Sequence, residues 1–181
     1  MKDLSMHILD IIQNSVRANA SYVELQIIEN KGEDSYSITI KDNGDGMNED
    51  MLAKVSDPFF TTRTTRKVGL GLPLLKQNAE RTGGHMKISS VLGEGTKTEA
   101  VFSHSNIDRP SLGDISGTIM ILVGANPDMK FVYTHKTDSG IYEFNTDDVK
   151  DILDGVPIND AEILEYINQM IKENLKNIKI E

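Results

Sequence analysis

A chain of 181 residues with 28 Asp and Glu against 19 Lys and Arg has a formal charge of −9, which argues against a nucleic-acid partner, since that footprint is basic. It contains no cysteine, so disulfide frameworks, thiolate metal sites and cysteine nucleophiles are excluded. No apolar stretch approaches a membrane span and no signal peptide opens at Met1, so a cytoplasmic protein without membrane contact is expected.

The charge is unevenly spread. Residues 1–105 sum to −2 and residues 106–181 to −7. The first part nevertheless gathers Arg63, Arg66 and Lys67 within five positions. A local cluster of cations on an acidic molecule suits a small anionic ligand better than a polymer.

In chain order, Leu4, Ile8, Ile11, Ile12 and Val16 recur at helical spacing and predict a helix over 4–17. His7, Asp10 (or Ile11) and Asn14 fall on a neighbouring stripe, so the Asp10 carboxylate and the Asn14 carboxamide are read as looking outward one turn apart. A polar, solvated face is the plain reading of that stripe. The chemical reading is a metal–phosphate site, in which the Asn14 carboxamide ligates Mg²⁺ and Asp10, one turn earlier, orients or deprotonates a water. His7 is read as structural or exposed rather than catalytic.

Residues 20–28 alternate, with Val23, Leu25 and Ile27 inward, and predict a strand whose hairpin partner is 35–41. That second strand runs into Asp42-Asn43-Gly44-Asp45-Gly46-Met47. The stretch must turn, and it can also floor a pocket. Asp42 would accept from an adenine amino group, Gly44 and Gly46 would let the base approach the backbone, and Met47 would offer it a soft apolar surface. A calcium loop is rejected, because the ligand spacing and the terminal Glu of an EF-hand are absent.

A short helix over 48–55 leads to Asp57-Pro58-Phe59-Phe60-Thr61-Thr62-Arg63, and then to Val68-Gly69-Leu70-Gly71-Leu72-Pro73. Glycines at a helix mouth let backbone N–H groups reach an anion, although Gly-x-Gly alone also suits an ordinary loop-to-helix turn. The helix over 72–81 has Leu72, Leu75 and Ala79 inward and stops at Thr82-Gly83-Gly84. Strands are predicted at 85–91 and 96–102 around Gly93-Glu94-Gly95, with Thr96 and Thr98 on one face.

Residues 106–115 have linker composition. Beyond them strands are predicted at 118–123, 130–134 and 141–144, with a short helix capped by Asn145 or Thr146 and ending near Gly155. Asn159 and Glu162 read as a capping box opening a last helix with an apolar stripe of Ile163, Ile167, Met170, Ile171 and Leu175. The division expected is a domain over 1–105, a linker over 106–115 and an acidic α+β extension over 116–181.

Asp10…Asn14 on a helix, Asp42-x-Gly-x-Gly-Met at a strand end, Phe59-Phe60-Thr61-Thr62 with Gly69-x-Gly71, and Gly95-Thr96 on a returning strand stand in order. Together they resemble the ATP-binding domain of the GHKL superfamily, named after gyrase B, the ninety-kilodalton heat-shock chaperone, histidine kinases and MutL. The likeness is greatest to histidine-kinase ATPase domains and covers roughly residues 4–103. It implies an α/β two-layer sandwich, with helices on one face of a mixed sheet and ATP between the layers, plus the small C-terminal α+β extension.

The resemblance also implies site roles. Asn14 would hold Mg²⁺ against the phosphates, while Asp42, Gly44, Gly46 and Met47 would take the adenine. Gly69, Leu70 and Gly71, opening into Leu72, would give N–H groups to the phosphates. Thr62, Arg63, Arg66 and Lys67 would belong to a lid, and Thr96 or Thr98 would support the adenine end.

Two departures shape the expected activity. Hydrolytic members carry Glu where this chain has Asp10, so at most slow turnover is expected. Only a few residues precede the first helix, and His7, His85, His104 and His135 lack an acceptor hairpin, so self-phosphorylation is not expected. The reading is therefore a Mg-ATP-binding module, a slow ATPase or nucleotide switch acting on a protein partner such as a signalling or redox-complex subunit. With no cysteine here, any redox centre would belong to that partner. The alternative is a protein kinase acting in trans, resembling the anti-sigma-factor serine kinases or a histidine-kinase catalytic subunit.

Overall fold

The computed structural model describes residues 2–55 and 71–180. Its elements are α1 (Leu4–Arg17), β1 (Tyr22–Asn30), β2 (Ser35–Asp42), α2 (Glu49–Lys54), α3 (Gly71–Arg81), β3 (His85–Val91), β4 (Gly95–Ser103), α4 (Ile115–Ala125), β5 (Lys130–Thr137), β6 (Gly140–Asn145), α5 (Thr146–Leu153) and α6 (Ala161–Asn177). Six strands form one mixed sheet in the order β3-β4-β2-β1-β5-β6. β5 lies parallel to β1, and the other pairs are antiparallel.

Period-two alternation puts Val23, Leu25 and Ile27 of β1, Tyr36, Ile38 and Ile40 of β2, and Phe131 and Tyr133 of β5 on one buried face. The helices α1, α3, α4 and α6 add their apolar stripes to the same core. The intervening residues of β1 and β2 stay half-buried or exposed. The fold is thus a two-layer α/β sandwich with helices on one sheet face. Among the described residues no helix is long and apolar enough to cross a membrane.

The strand expected over 118–123 is instead the core of α4. Asp114 caps it, accepting from the Gly117 N–H at 2.9 Å. That bond, followed by burial in the opposite sense and by the Ser116 hydroxyl, holds the Asp114 carboxyl below its ordinary value. A short apolar run such as Ile119–Val123 fits strand or helix equally well by periodicity. Here it is helical because it is wedged between α1 and α6. α6 is likewise capped by Asp160, which accepts from the Glu162 N–H at 2.9 Å, and not by Asn159.

The segment with linker composition is tied down at its far end. The Leu4 and Ser5 N–H groups, unpaired donors of the first turn of α1, bond the carbonyls of Ser111 and Leu112 at 2.9 Å each. The Ser5 hydroxyl also reaches the Leu112 carbonyl, at 2.6 Å.

A polar cluster closes the buried face where β1 ends. Glu29 is 3% exposed. Its Oε1 accepts from His135 Nε2 at 2.7 Å, and its Oε2 lies 3.4 Å from His104 Nε2. His135 Nδ1 meets the Tyr133 hydroxyl at 2.7 Å. A carboxylate this deep needs such donors. His135→Leu, which keeps bulk but removes the donor, is expected to lower the unfolding free energy by about 3 kcal/mol. Glu29→Leu added to it should recover part of the loss, because no buried carboxylate is then left bare; urea denaturation of the three proteins checks both expectations.

Candidate functional site

At the other end of the same face, β2 terminates in Asp42, which is 9% exposed. Register sets it directly opposite Val23 of β1 and Thr96 of β4. Its Oδ1 accepts from the Gly44 N–H at 2.9 Å and the Thr96 N–H at 3.2 Å. Its Oδ2 accepts from the Ser15 hydroxyl at 2.5 Å. Ser15 follows Asn14 on α1, so the end of β2 and the Asp10–Asn14 stripe belong to one site.

The walls around Asp42 have no room for side chains. A Cβ on Gly44 would stand 2.6 Å from the Ala18 carbonyl oxygen, one on Gly46 2.0 Å from that of Val91, and one on Gly95 2.0 Å from that of Asp42. Gly46 and Gly95 also take φ of +67° and +123°, which other residues rarely adopt. The loop is fixed on both sides. Asp45 donates its N–H to Ala18 and accepts from Gly93, each at 2.7 Å. The Asn43 side chain accepts from the Ser21 and Tyr22 N–H groups at 2.9 and 2.8 Å.

Met47 enters through its N–H, which bonds Ser90 Oγ at 2.8 Å. That hydroxyl also stands 2.8 Å from Thr96 Oγ1. Thr96 is therefore at the Asp42 end, whereas Thr98 is paired with Ile40, one step deeper, and is buried. Ser15, Asn43 and Ser90 complete the surroundings of Asp42 and were not singled out as site residues from sequence. For Ser15 the signal was adjacency to Asn14. Ser90 had none, since only strand register brings it there.

On α1, Asp10 and Asn14 are half-buried rather than fully outward. A Cβ on Gly71, at the start of α3, would meet Asp10 Oδ2 at 1.9 Å, so the carboxylate lies against that backbone. Asn14 Oδ1 accepts from Arg17 Nη1 at 2.6 Å. Leu72 is partly buried against the core. The remaining candidates, Thr62, Arg63, Arg66, Lys67, Gly69 and Leu70, lie outside the described residues.

His7, on the same stripe, is 1% exposed, the structural side of its expected reading. It faces α3, where Nε2 is 3.2 Å from the Asn78 amide nitrogen and Nδ1 has no hydrogen-bond partner. Burial lowers its pKa, against smaller opposing effects from the Gly71 backbone, Asp10 and Asp3.

A profile of histidine kinase-, DNA gyrase B- and HSP90-like ATPases matches residues 2–106. The chain is 38% identical over 72 residues to the C4-dicarboxylate transport sensor protein DctB of Pseudomonas aeruginosa, covering 39% of this chain and 12% of that one. It is 30% identical over 93 residues both to sporulation kinase C of Bacillus subtilis and to sensor histidine kinase ZraS of Salmonella typhimurium. Those two matches cover 51% of this chain and 22% and 20% of the kinases, so about a fifth of each relative is represented. Among solved structures, the N-terminal domain of a DNA repair protein superposes with a TM-score of 0.54 at 17% identity, over 80% of this chain and 52% of that one. That likeness is one of fold.

The lowered pKa of His7 has a consequence for stability with a definite sign. The unfolded chain takes up the proton first, near 6.5, so the contribution of neutral His7 is complete above that value. It is lost as pH falls through the lower folded value. Wild-type protein should therefore destabilise below about pH 6.5 more steeply than His7→Leu; denaturant titrations at a series of pH values check the difference in slope.

Proposed function

We propose, from the premise that the chain belongs to the histidine kinase-, DNA gyrase B- and HSP90-like ATPases, that it is a Mg-ATP-binding module whose nucleotide state regulates a protein partner, with slow hydrolysis at most. The observation that carries this reading is the 2.5 Å bond from Ser15 to Asp42. It sets an acceptor suited to the adenine amino group beside a helix that presents a carboxamide and a carboxylate one turn apart.

The base would rest over Gly44 and Gly46, where a Cβ is excluded, with Met47 beside it and Thr96 at the Asp42 end. Asn14 would ligate the cation through Oδ1, displacing the Arg17 guanidinium that now occupies that oxygen. Among the described residues no three His, Cys, Asp or Glu side chains converge on a metal position. That donor set fits Mg²⁺, which is commonly held by one or two protein oxygens and by the phosphates of its nucleotide. When bound, the cation would neutralise the triphosphate. The Gly71 N–H, at the start of α3, would face the phosphates and be supported by the positive end of the helix dipole. Asp10 would orient a water there. Its side chain, one methylene shorter than Glu, reaches about 1.5 Å less far, which supports slow turnover.

The net charge of −7 over residues 106–181 suits a partner with a basic surface. A second reading, phosphoryl transfer to another protein, is favoured by the similarity to sporulation kinase C and ZraS.

Titration with ATP, with and without Mg²⁺, tests the leading reading. Asp42→Asn is expected to weaken binding about tenfold or more whether or not Mg²⁺ is present, by one charge-assisted hydrogen bond. Asn14→Ala should instead remove most of the enhancement by Mg²⁺. No binding to the folded chain at millimolar ATP would discard the reading. Label from γ-³²P-ATP appearing on a second protein would favour transfer over regulation.

A further inference from the structure

His7 is a buried polar group at a position where packing alone asks for something else. A leucine between α1 and α3 would bury apolar surface and leave no donor unmet, whereas native interiors rarely leave a buried polar group without a partner. The imidazole is 1% exposed, with one nitrogen engaged and one not. Asn78 approaches with its amide nitrogen, which only donates, so His7 Nε2 accepts at 3.2 Å and the proton of the neutral ring sits on Nδ1. The Gly71 backbone acts on the ring in the sense that favours its protonated form. His7 thus ties α1 to α3 through Asn78, two turns after the Gly71 that opens α3.

Gly71 is also the residue against which Asp10 lies, without room for a Cβ. His7, Asp10 and Asn14 are successive positions of one α1 stripe, at steps of three and four. We propose that His7 and Asn78 form a positioning clamp that fixes the first turn of α3 against this stripe, and so sets the gap between Asn14 and the Gly71 N–H in which a nucleotide's phosphates would be held. His7 acts through Asn78 and α3 and touches no reacting atom. The inference rests on the Mg-ATP reading and adds to it a determinant of phosphate positioning, separate from the groups that would contact the ligand.

The test measures Mg-ATP affinity for wild type, His7→Leu, His7→Gln, Asn78→Leu and the double His7→Leu/Asn78→Leu protein, with circular dichroism confirming that each is folded. One lost buried hydrogen bond predicts about tenfold weaker binding for either leucine variant and still about tenfold for the double, because the two side chains serve one contact. Gln at position 7 can both accept and donate, so it should return to within about threefold of wild type. Asn78→Leu, on the other helix, keeps the test open if His7→Leu fails to fold. Wild-type affinity in the leucine variants overturns the clamp. So does a Gln variant as weak as Leu, or a double variant weakened by the product of the singles. A folded wild-type chain that binds no ATP overturns the function itself, and the clamp with it.

Discussion

The hydrogen bond from Ser15 to Asp42 joins the two layers of the molecule at the end of β2. β2 could end in a carboxylate, and α1 could carry Asp10 and Asn14, without the two forming one site. What brings them together is that α1 lies across the buried face with its last turns over the end of β2. Ala18 and Asn19, just after α1, then bind the backbone and side chain of Asp45. The bond is also one of those that let Asp42 lie 9% exposed. Three donors from three segments, Ser15, Gly44 and Thr96, surround its two oxygens. An acceptor satisfied in this way is pre-organised.

Much of this was legible because the relevant residues report on local geometry. Asp42-x-Gly-x-Gly closes a strand whose alternation is plain, and the crowding around Gly44 and Gly46 shows why no side chain is admitted there. The helical recurrence of Leu4, Ile8 and Ile12 fixed which face of α1 turns inward, and hence where Asp10 and Asn14 must lie. Ser90 was not legible, since its contact with Met47 and Thr96 depends on the register of two strand pairs. His7, read as structural or exposed, is decided by packing in the same way. The stripe it shares with Asp10 and Asn14 is covered by α3 at its N-terminal end. Only tertiary packing distinguishes a covered polar face from a solvated one.

The residues beyond 106 change what kind of object the family domain is. The family profile ends at residue 106, but the sheet continues, with β5 hydrogen-bonded in parallel to β1 along Tyr22–Ile28. Glu29 of β1 is buried through His135 of β5. The misread segment 118–123 belongs to this junction. As a strand it would have been one more piece of an appendage, whereas as helix α4 it fills the space between α1 and α6. The carbonyls of Ser111 and Leu112, meanwhile, serve the first turn of α1. One helix therefore has its start fixed by the C-terminal part and its end fixed at Asp42.

That arrangement bears on how a nucleotide could be sensed. Asn14 Oδ1 accepts from Arg17 Nη1 at 2.6 Å. On the proposed reading, a metal ion at Asn14 would repel a guanidinium so close, and cation binding would carry a rearrangement at the last turn of α1. The same turn supplies Ser15 to Asp42 and Ala18 to Asp45. The opposite end of the helix is anchored on the segment leading to α4, through contacts that do not involve the nucleotide. A displacement of α1 produced at Asn14 would have to be absorbed either within the helix or at Ser111–Leu112. α-Helices are stiff along their axis and the strap consists of two backbone hydrogen bonds and one hydroxyl, so the strap is the softer of the two. On the proposed reading, the C-terminal part is where the state of the nucleotide would become visible to a partner.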